Sequence, residues 1–299
     1  MRYLRAFRFP TAEEEWDVIY NDKKRVYSSW YPFGVLSRRG LCEVTFEPIT
    51  VLYGGNGSGK TTALNLMAEK LHARRDSLYN RSAMYGRCLD LCRADMAMDA
   101  PRAIRIITSD DVFDFMLQLR ATNEGIDRER EEAYSAWKEL RSEHFQMRSM
   151  QDWDQLRRVV DARRHTMSRF ARDEVGMNLI GHSNGESAWN YFTSKIEEGS
   201  LCFLDEPENS LSPLRQQELA TYLEESARFF DTQLVIATHS PFLLAMRGAK
   251  IYDLDAEPPD VKKWTELENV KAYRRFFEQH RAAFEDETSS HSTHAADEL

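Results

Sequence analysis

The nine residues Gly54–Thr62, GGNGSGKTT, constrain this chain more than any other stretch. Gly54, Gly59, Lys60 and Thr61 fill the G-x-x-x-x-G-K-[ST] pattern of a phosphate-binding loop. An apolar, β-rich run, ITVLY, comes just before, and Leu64, Met67, Ala68 and Leu71 follow at helical spacing. Gly54, Gly55, Gly57 and Gly59 let the backbone wrap tightly. Asn56, Ser58 and Thr62 extend the ring of N–H donors around an anion, and the helix adds its positive end. Lys60 is expected to reach the β- and γ-phosphates of ATP, and the Thr61 hydroxyl to complete a Mg²⁺ shell. An accidental Gly-rich turn would match the motif but not the strand before it and the helix after it.

At 299 residues there is room for one large α/β domain carrying an insertion. No run approaches the roughly 20 apolar residues of a membrane span, so no membrane partner is expected. The start, MRYLRAFRF, is charged and alternating, which reads as a strand and not a signal peptide. Cys42, Cys88, Cys92 and Cys202 show no C-x-x-C spacing, which points to a reduced, cytoplasmic protein without structural zinc. Of the net charge of −9, five acids lie in the stretch 285–299, which has no Lys or Arg; the remainder carries −4. That stretch has the composition of a disordered tail.

Strands are expected at 2–9, 42–46, 49–53, 104–108, 201–204 and 233–238, with a loop over 33–40 and a helix over 213–230. The stretch 72–93 reads as basic and irregular. Strands alternating with helices argue for an α/β domain. Ser109 has the chemistry of an N-cap, with Asp110 and Asp111 in the first turn. Four segments are expected: 1–122 as the first part of the core, 123–174 as a helical hairpin joined near 147–154, 175–284 as the second part of the core, and 285–299 as the tail. Within the hairpin, 127–143 holds six acids and four bases, whereas Arg157–Arg172 holds six arginines and only Asp161 as an acid. The arginines either form a patch for nucleic acid or an acidic partner, or are neutralised across the hairpin.

LCFLDE, residues 201–206, is an apolar strand delivering two carboxylates to the edge where α/β sheets bind ligands. Asp205 is expected to hold Mg²⁺ through water, and Glu206 to polarise the attacking water as base or by positioning. LVIATHSP, residues 234–241, ends another apolar strand in His239, which can hydrogen-bond a γ-phosphate. Taken singly, each would pass for a strand end with solvated polar residues. Following a phosphate loop, both read as parts of its site.

NGSGKTT, FLDEPENSLSP and IATHSPFLL together resemble the ABC-type P-loop ATPases, in the branch with the SMC, RecF and OLD-like enzymes and short bacterial predicted ATPases. The resemblance covers both ends of the chain and leaves 72–175 least assignable. It implies a P-loop NTPase fold with an ABC-ATPase-like mixed sheet core. It also implies a head-to-tail homodimer, or a higher homo-oligomer, whose composite sites hydrolyse ATP. In that family a Ser-Gly signature loop completes the partner's site; here HSNGES, 182–187, is similar, with Ser183 and Gly185 in the contacting places. It departs from the transporter form LSGGQ, so coupling to a permease is not expected. The loop NSLSP, 209–213, stands in the D-loop place without its aspartate, leaving Ser210, Ser212 or backbone groups for that role. For the lid loop the chain offers Asp110 or Gln118, and for adenine stacking Trp30 or Tyr31.

Other readings are weaker. Asp253-x-Asp255 is too close to the end of the sequence for a second, nuclease-type metal domain to follow, and Cys88 and Cys92 make a poor metal pair. Two roles remain open: an ATPase driving or gating an unknown protein effector, and an ATP-locked switch or scaffold holding a toxin, nuclease or nucleic acid with slow turnover. The second is an analogy with phage-defence ATPases.

Overall fold

The computed structural model describes every residue except 23–28, 147, 176–183, 210 and 285–299. The chain divides into two units, Met1–Asp111 with Trp189–Leu299, and Val112–Ala188. The first unit opens with β1 (Leu4–Arg8), α1 (Ala12–Asn21), β2 (Glu43–Thr45), β3 (Ile49–Tyr53) and α2 (Lys60–Lys70). It continues with α3 (Tyr85–Leu91), β4 (Arg93–Met96) and β5 (Ala103–Thr108). From there α4 (Ser109–Ser142) runs into the second unit, followed by α5 (Trp153–Arg164), α6 (Met167–Val175) and the start of α7 (Asn184–Lys195). The first unit resumes with β6 (Ser200–Asp205), α8 (Pro213–Phe229), β7 (Gln233–Ala237), α9 (Pro241–Leu244), β8 (Lys250–Asp253), β9 (Asp260–Lys262) and α10 (Glu268–Gln279).

Six strands form one sheet in the order β5-β6-β7-β3-β8-β9, parallel except for β9, which runs antiparallel to β8. Every residue of β3, β6 and β7 is buried. A strand covered on both faces has no polar side to show, which is why these three read as continuous apolar runs and not as alternation. The helix α2 is buried on nearly every side, with Ala63, Leu64, Leu66, Met67 and Ala68 all in the core. A smaller antiparallel sheet, β2-β1-β4, is tied to the main one by Tyr252 Oη against Thr45 and by the side chain of Gln233. This fully buried amide accepts from Tyr3 N (2.7 Å) and Leu4 N (2.8 Å) and donates to Leu4 O (2.8 Å).

All six expected strands are present within two residues of their expected ends; β4, β8 and β9 and the helices α1 and α3 are additional to the expected elements. The capping box that starts α1 is plain: Thr11 Oγ1 accepts from Glu14 N while the Glu14 carboxylate accepts from Thr11 N. The stretch expected to be irregular, 72–93, contains α3.

Ser109 is not the cap of α4 but its first residue. Thr108, the last residue of β5, takes that role by accepting from Asp111 N (3.3 Å), and the buried Asp111 carboxylate accepts from Thr108 N (2.6 Å) and Thr108 Oγ1 (2.9 Å). In the second unit, the arm after α4 is broken, because His165 adopts an extended backbone between α5 and α6. Trp137 Nε1 donates to that residue's carbonyl at 3.2 Å. Arg163 Nη2 donates to Glu143 O at 2.7 Å, and Gln155 Nε2 to the Glu143 carboxylate at 3.1 Å. Arg157 is three-quarters exposed, with Asp161 on its own helix 3.9 Å away.

Candidate functional site

Strand register puts the three motifs on one edge. Leu52 of β3 and Asp205 of β6 both stand level with Ala237 of β7. The ladder extends one residue further, through Thr238 N to Leu52 O (3.2 Å) and Glu206 N to Ala237 O (2.9 Å). The phosphate loop, the paired acids and His239 therefore leave the sheet side by side at its carboxyl edge.

Two of the loop's glycines, Gly54 and Gly59, are dictated by space. Gly59 caps α2 with φ +97°, and a Cβ there would lie 2.8 Å from Leu36 Cδ2. At Gly54, a Cβ would come within 2.6 Å of Ser58 Oγ. Gly55, Asn56 and Gly57 form the exposed tip. Lys60 is buried, donating from Nζ to Gly54 O (2.7 Å) and Gly55 O (3.1 Å) and so clamping the loop's start to its end. Thr61 Oγ1 donates to Asp205 Oδ1 at 3.2 Å. Thr62 is turned inward, its hydroxyl 3.3 Å from Tyr31 Oη.

A cleft of about 420 Å³ opens over the loop, lined by Val35, Asn56, Ser58, Lys60, Thr61 and Glu206 among others. Loop amides, an ammonium group and a hydroxyl beside one carboxylate suit a nucleotide's phosphates with Mg²⁺, which typically takes one or two carboxylates plus phosphate oxygens. Thr61 and Asp205 are the residues that would hold the ion.

Burial pushes the Asp205 carboxyl up to about 6; the Thr61 hydroxyl and Lys60 pull it down, whereas Glu206 and Glu208 push it further up. Glu206 sits in the left-handed region at φ +47°, an unfavourable backbone for a glutamate and of the kind found at active sites. Asn209 Nδ2 holds its Oε2 at 3.0 Å. Glu206 Oε1 lies 3.7 Å from Lys60 Nζ and 3.8 Å from His239 Nδ1. Lys60, Thr61, Asp205, Glu206 and His239 thus form one connected group.

Three supporting residues were not anticipated from the sequence. Asp255 Oδ2 accepts from Gly55 N at 2.8 Å, tying the end of β8 to the loop. Asn269 Nδ2, at the start of α10, donates to His239 O at 2.8 Å. Glu208 is buried beneath His239, and its Oε1 accepts from Thr238 Oγ1 (2.6 Å), His239 N (2.9 Å) and Ser240 N (3.3 Å). Its one visible signal was a third acid in DEPEN.

Other candidates are placed as follows. Ser183 and Ser210 lie outside the described residues; Gly185 is the second residue of α7. Ser212 is the N-cap of α8, accepting from Arg215 N. Asp110 and Gln118 are exposed on α4. Neither Trp30 nor Tyr31 lines the loop's cleft; Val35 is the apolar residue there.

The ABC transporter family matches the sequence over residues 42–209. An AAA domain family described under an AbiEii-type toxin of type IV toxin–antitoxin systems matches residues 180–245. No curated protein gives a significant match. Among solved structures, a metal-chelate type ABC transporter in an inward-facing conformation is 15% identical, covering 76% of this chain and 78% of its own, at a TM-score of 0.37. The Smc head domain of Pyrococcus furiosus, bound to the C-terminal domain of ScpA, is 12% identical, covering 94% of this chain and all of its own, at 0.36.

Proposed function

The chain belongs to the ABC transporter family, whose match spans more than half of it, and is an ATP-hydrolysing enzyme; we propose that it works as a head-to-tail dimer with two composite sites. The observation that carries the catalytic reading is the convergence of Lys60, Thr61, Asp205, Glu206 and His239 at the ends of three adjacent parallel strands.

Lys60 and the loop amides bind the phosphates and neutralise their charge. Thr61 and Asp205 would hold Mg²⁺, which would supply further neutralisation when bound. Glu206 polarises the attacking water, and His239 hydrogen-bonds the γ-phosphate. Ser183 and Gly185 of the partner subunit complete the site, as the resemblance to the SMC, RecF and OLD-like branch implies. Among the described residues no helix is long and apolar enough to cross a membrane. Four free cysteines accord with a cytoplasmic setting.

The second reading, an ATP-locked switch of a defence or toxin-type system, draws on the AbiEii-type family match. A Glu206→Gln variant separates the two. It should bind Mg-ATP, lose turnover by about 100-fold or more and accumulate as a dimer on size exclusion. If biological activity disappears with turnover, the ATPase cycle does the work; if the trapped form stays active, occupancy suffices. Failure of wild type to bind Mg-ATP in calorimetry would remove both readings.

A further inference from the structure

Glu208 is more than a strut. Its Oε1 receives three donors from the Thr238–Ser240 turn, yet Oε2 is buried with no protein partner. A neutral amide or hydroxyl oxygen could accept those donors without carrying a charge into the interior. A buried carboxylate with one oxygen unpaired is destabilising, so its charge calls for an explanation in the site. A basic group within ion-pair reach is the His239 imidazole. Nδ1 stands 3.4 Å from Glu208 Oε1, closer than the 3.8 Å to Glu206 Oε1. The imidazole is half exposed, whereas the Glu208 side chain is only 4% exposed.

We propose that Glu208 is the positioning residue of His239. Its carboxylate fixes the turn that carries the histidine and holds the proton on Nδ1, leaving Nε2 for the nucleotide and keeping the ring beside Glu206. Glu208 itself is buried and acts through the histidine. Its backbone carbonyl accepts from Leu211 N (2.9 Å), so the segment after β6 is coupled to the same turn. Ser240 Oγ donates to Gln216 Oε1 at 2.7 Å, which braces the turn from α8. The histidine is thus held from below by Glu208 and from the side by α8, and its carbonyl is held by Asn269. This inference rests on the ATPase function and adds a residue to it.

The test is steady-state Mg-ATP turnover of the full-length chain as Glu208→Gln, His239→Gln and the double variant. Glutamine keeps an acceptor oxygen for the turn and replaces the charged carboxylate by a neutral amide. Glu208→Gln should lower kcat about 10- to 100-fold with KM changed less than about threefold. In the His239→Gln background the same change should cost less than about twofold, because the residue it acts through is gone. Wild-type kcat in Glu208→Gln, or an equal loss in both backgrounds, would overturn the proposal and leave the ATPase function standing. Should Glu208→Gln fold poorly, Glu208→Asp keeps the charge but withdraws it by one methylene, and the same two-background comparison decides. An inactive wild type that still binds Mg-ATP would strike the ATPase function itself, and this inference with it.

Discussion

Asp205 shows how one residue can oppose folding while serving the site. Its carboxyl is buried at the end of β6 and raised from 3.8 to about 6, chiefly by burial. Between those values the folded state holds a proton that the unfolded state has released. Its contribution to stability is therefore complete below about pH 4 and is lost as pH rises through 6, amounting to up to about 3 kcal/mol. Asp205→Asn abolishes this dependence. In metal-free buffer it should be more stable than wild type at pH 7.5 and about equal at pH 4, read as the difference between the two urea midpoints. Its Mg-dependent ATP binding should fall steeply. A wild type equally stable relative to Asp205→Asn at both pH values would refute the raised carboxyl. Asp205 was legible in the sequence because its role is local, an acid at the end of an apolar run. Gly59 was legible for the same reason, since a helix cap at φ +97° demands glycine. Glu208 and Asp255 were not, because strand register across β6–β7 and β3–β8, and not sequence spacing, brings them to His239 and Gly55.

Elements differ in legibility by how much of each is buried. β3, β6 and β7 stood out because burial on both faces makes most of each strand apolar, with polar residues mainly at the ends. β4, with the sequence RADM, is exposed at alternate positions and is held in place by pairing with β1, which no local pattern announces. The cap of α4 was misplaced by one residue, since Thr108 serves strand and helix at once. Gln233, whose amide is buried, is one of the ties between the two sheets, beside Tyr252 Oη against Thr45. Gln233→Ala would strand the amides of Tyr3 and Leu4 and the Leu4 carbonyl away from water. Each unsatisfied group costs roughly 1–3 kcal/mol, so for three groups a total loss of about 3 kcal/mol or more is expected on chemical denaturation. The Mg-ATP KM, measured well below the new melting point, should stay within about twofold. A loss under about 1 kcal/mol would mean that water or backbone movement satisfies these groups and that the amide is not a tie between the sheets.

At the scale of the whole molecule, the proposed dimer makes a prediction that a self-contained site does not. In that proposed dimer each site would take Lys60 from one subunit and Ser183 from the other. Lys60→Ala and Ser183→Arg should each be inactive alone, the first for want of phosphate binding and the second because a bulky cation replaces the signature hydroxyl. Mixed, they form dimers in which one site carries both lesions and the other carries none. With random exchange of subunits half the dimers are mixed, and each has one intact site of two. Turnover should therefore recover to about a quarter of wild type at equal mixing if the sites fire independently, as two-fold symmetry allows. Recovery should rise to a maximum at equal proportions and fall on either side, because only mixed dimers contribute. If both signature and phosphate loop acted within one chain, every subunit in the mixture would carry a lesion in its own site, and mixing would restore nothing. A flat zero across all proportions, from variants shown to dimerise, would therefore reject the composite site while leaving the assignments of Lys60, Asp205 and Glu206 untouched.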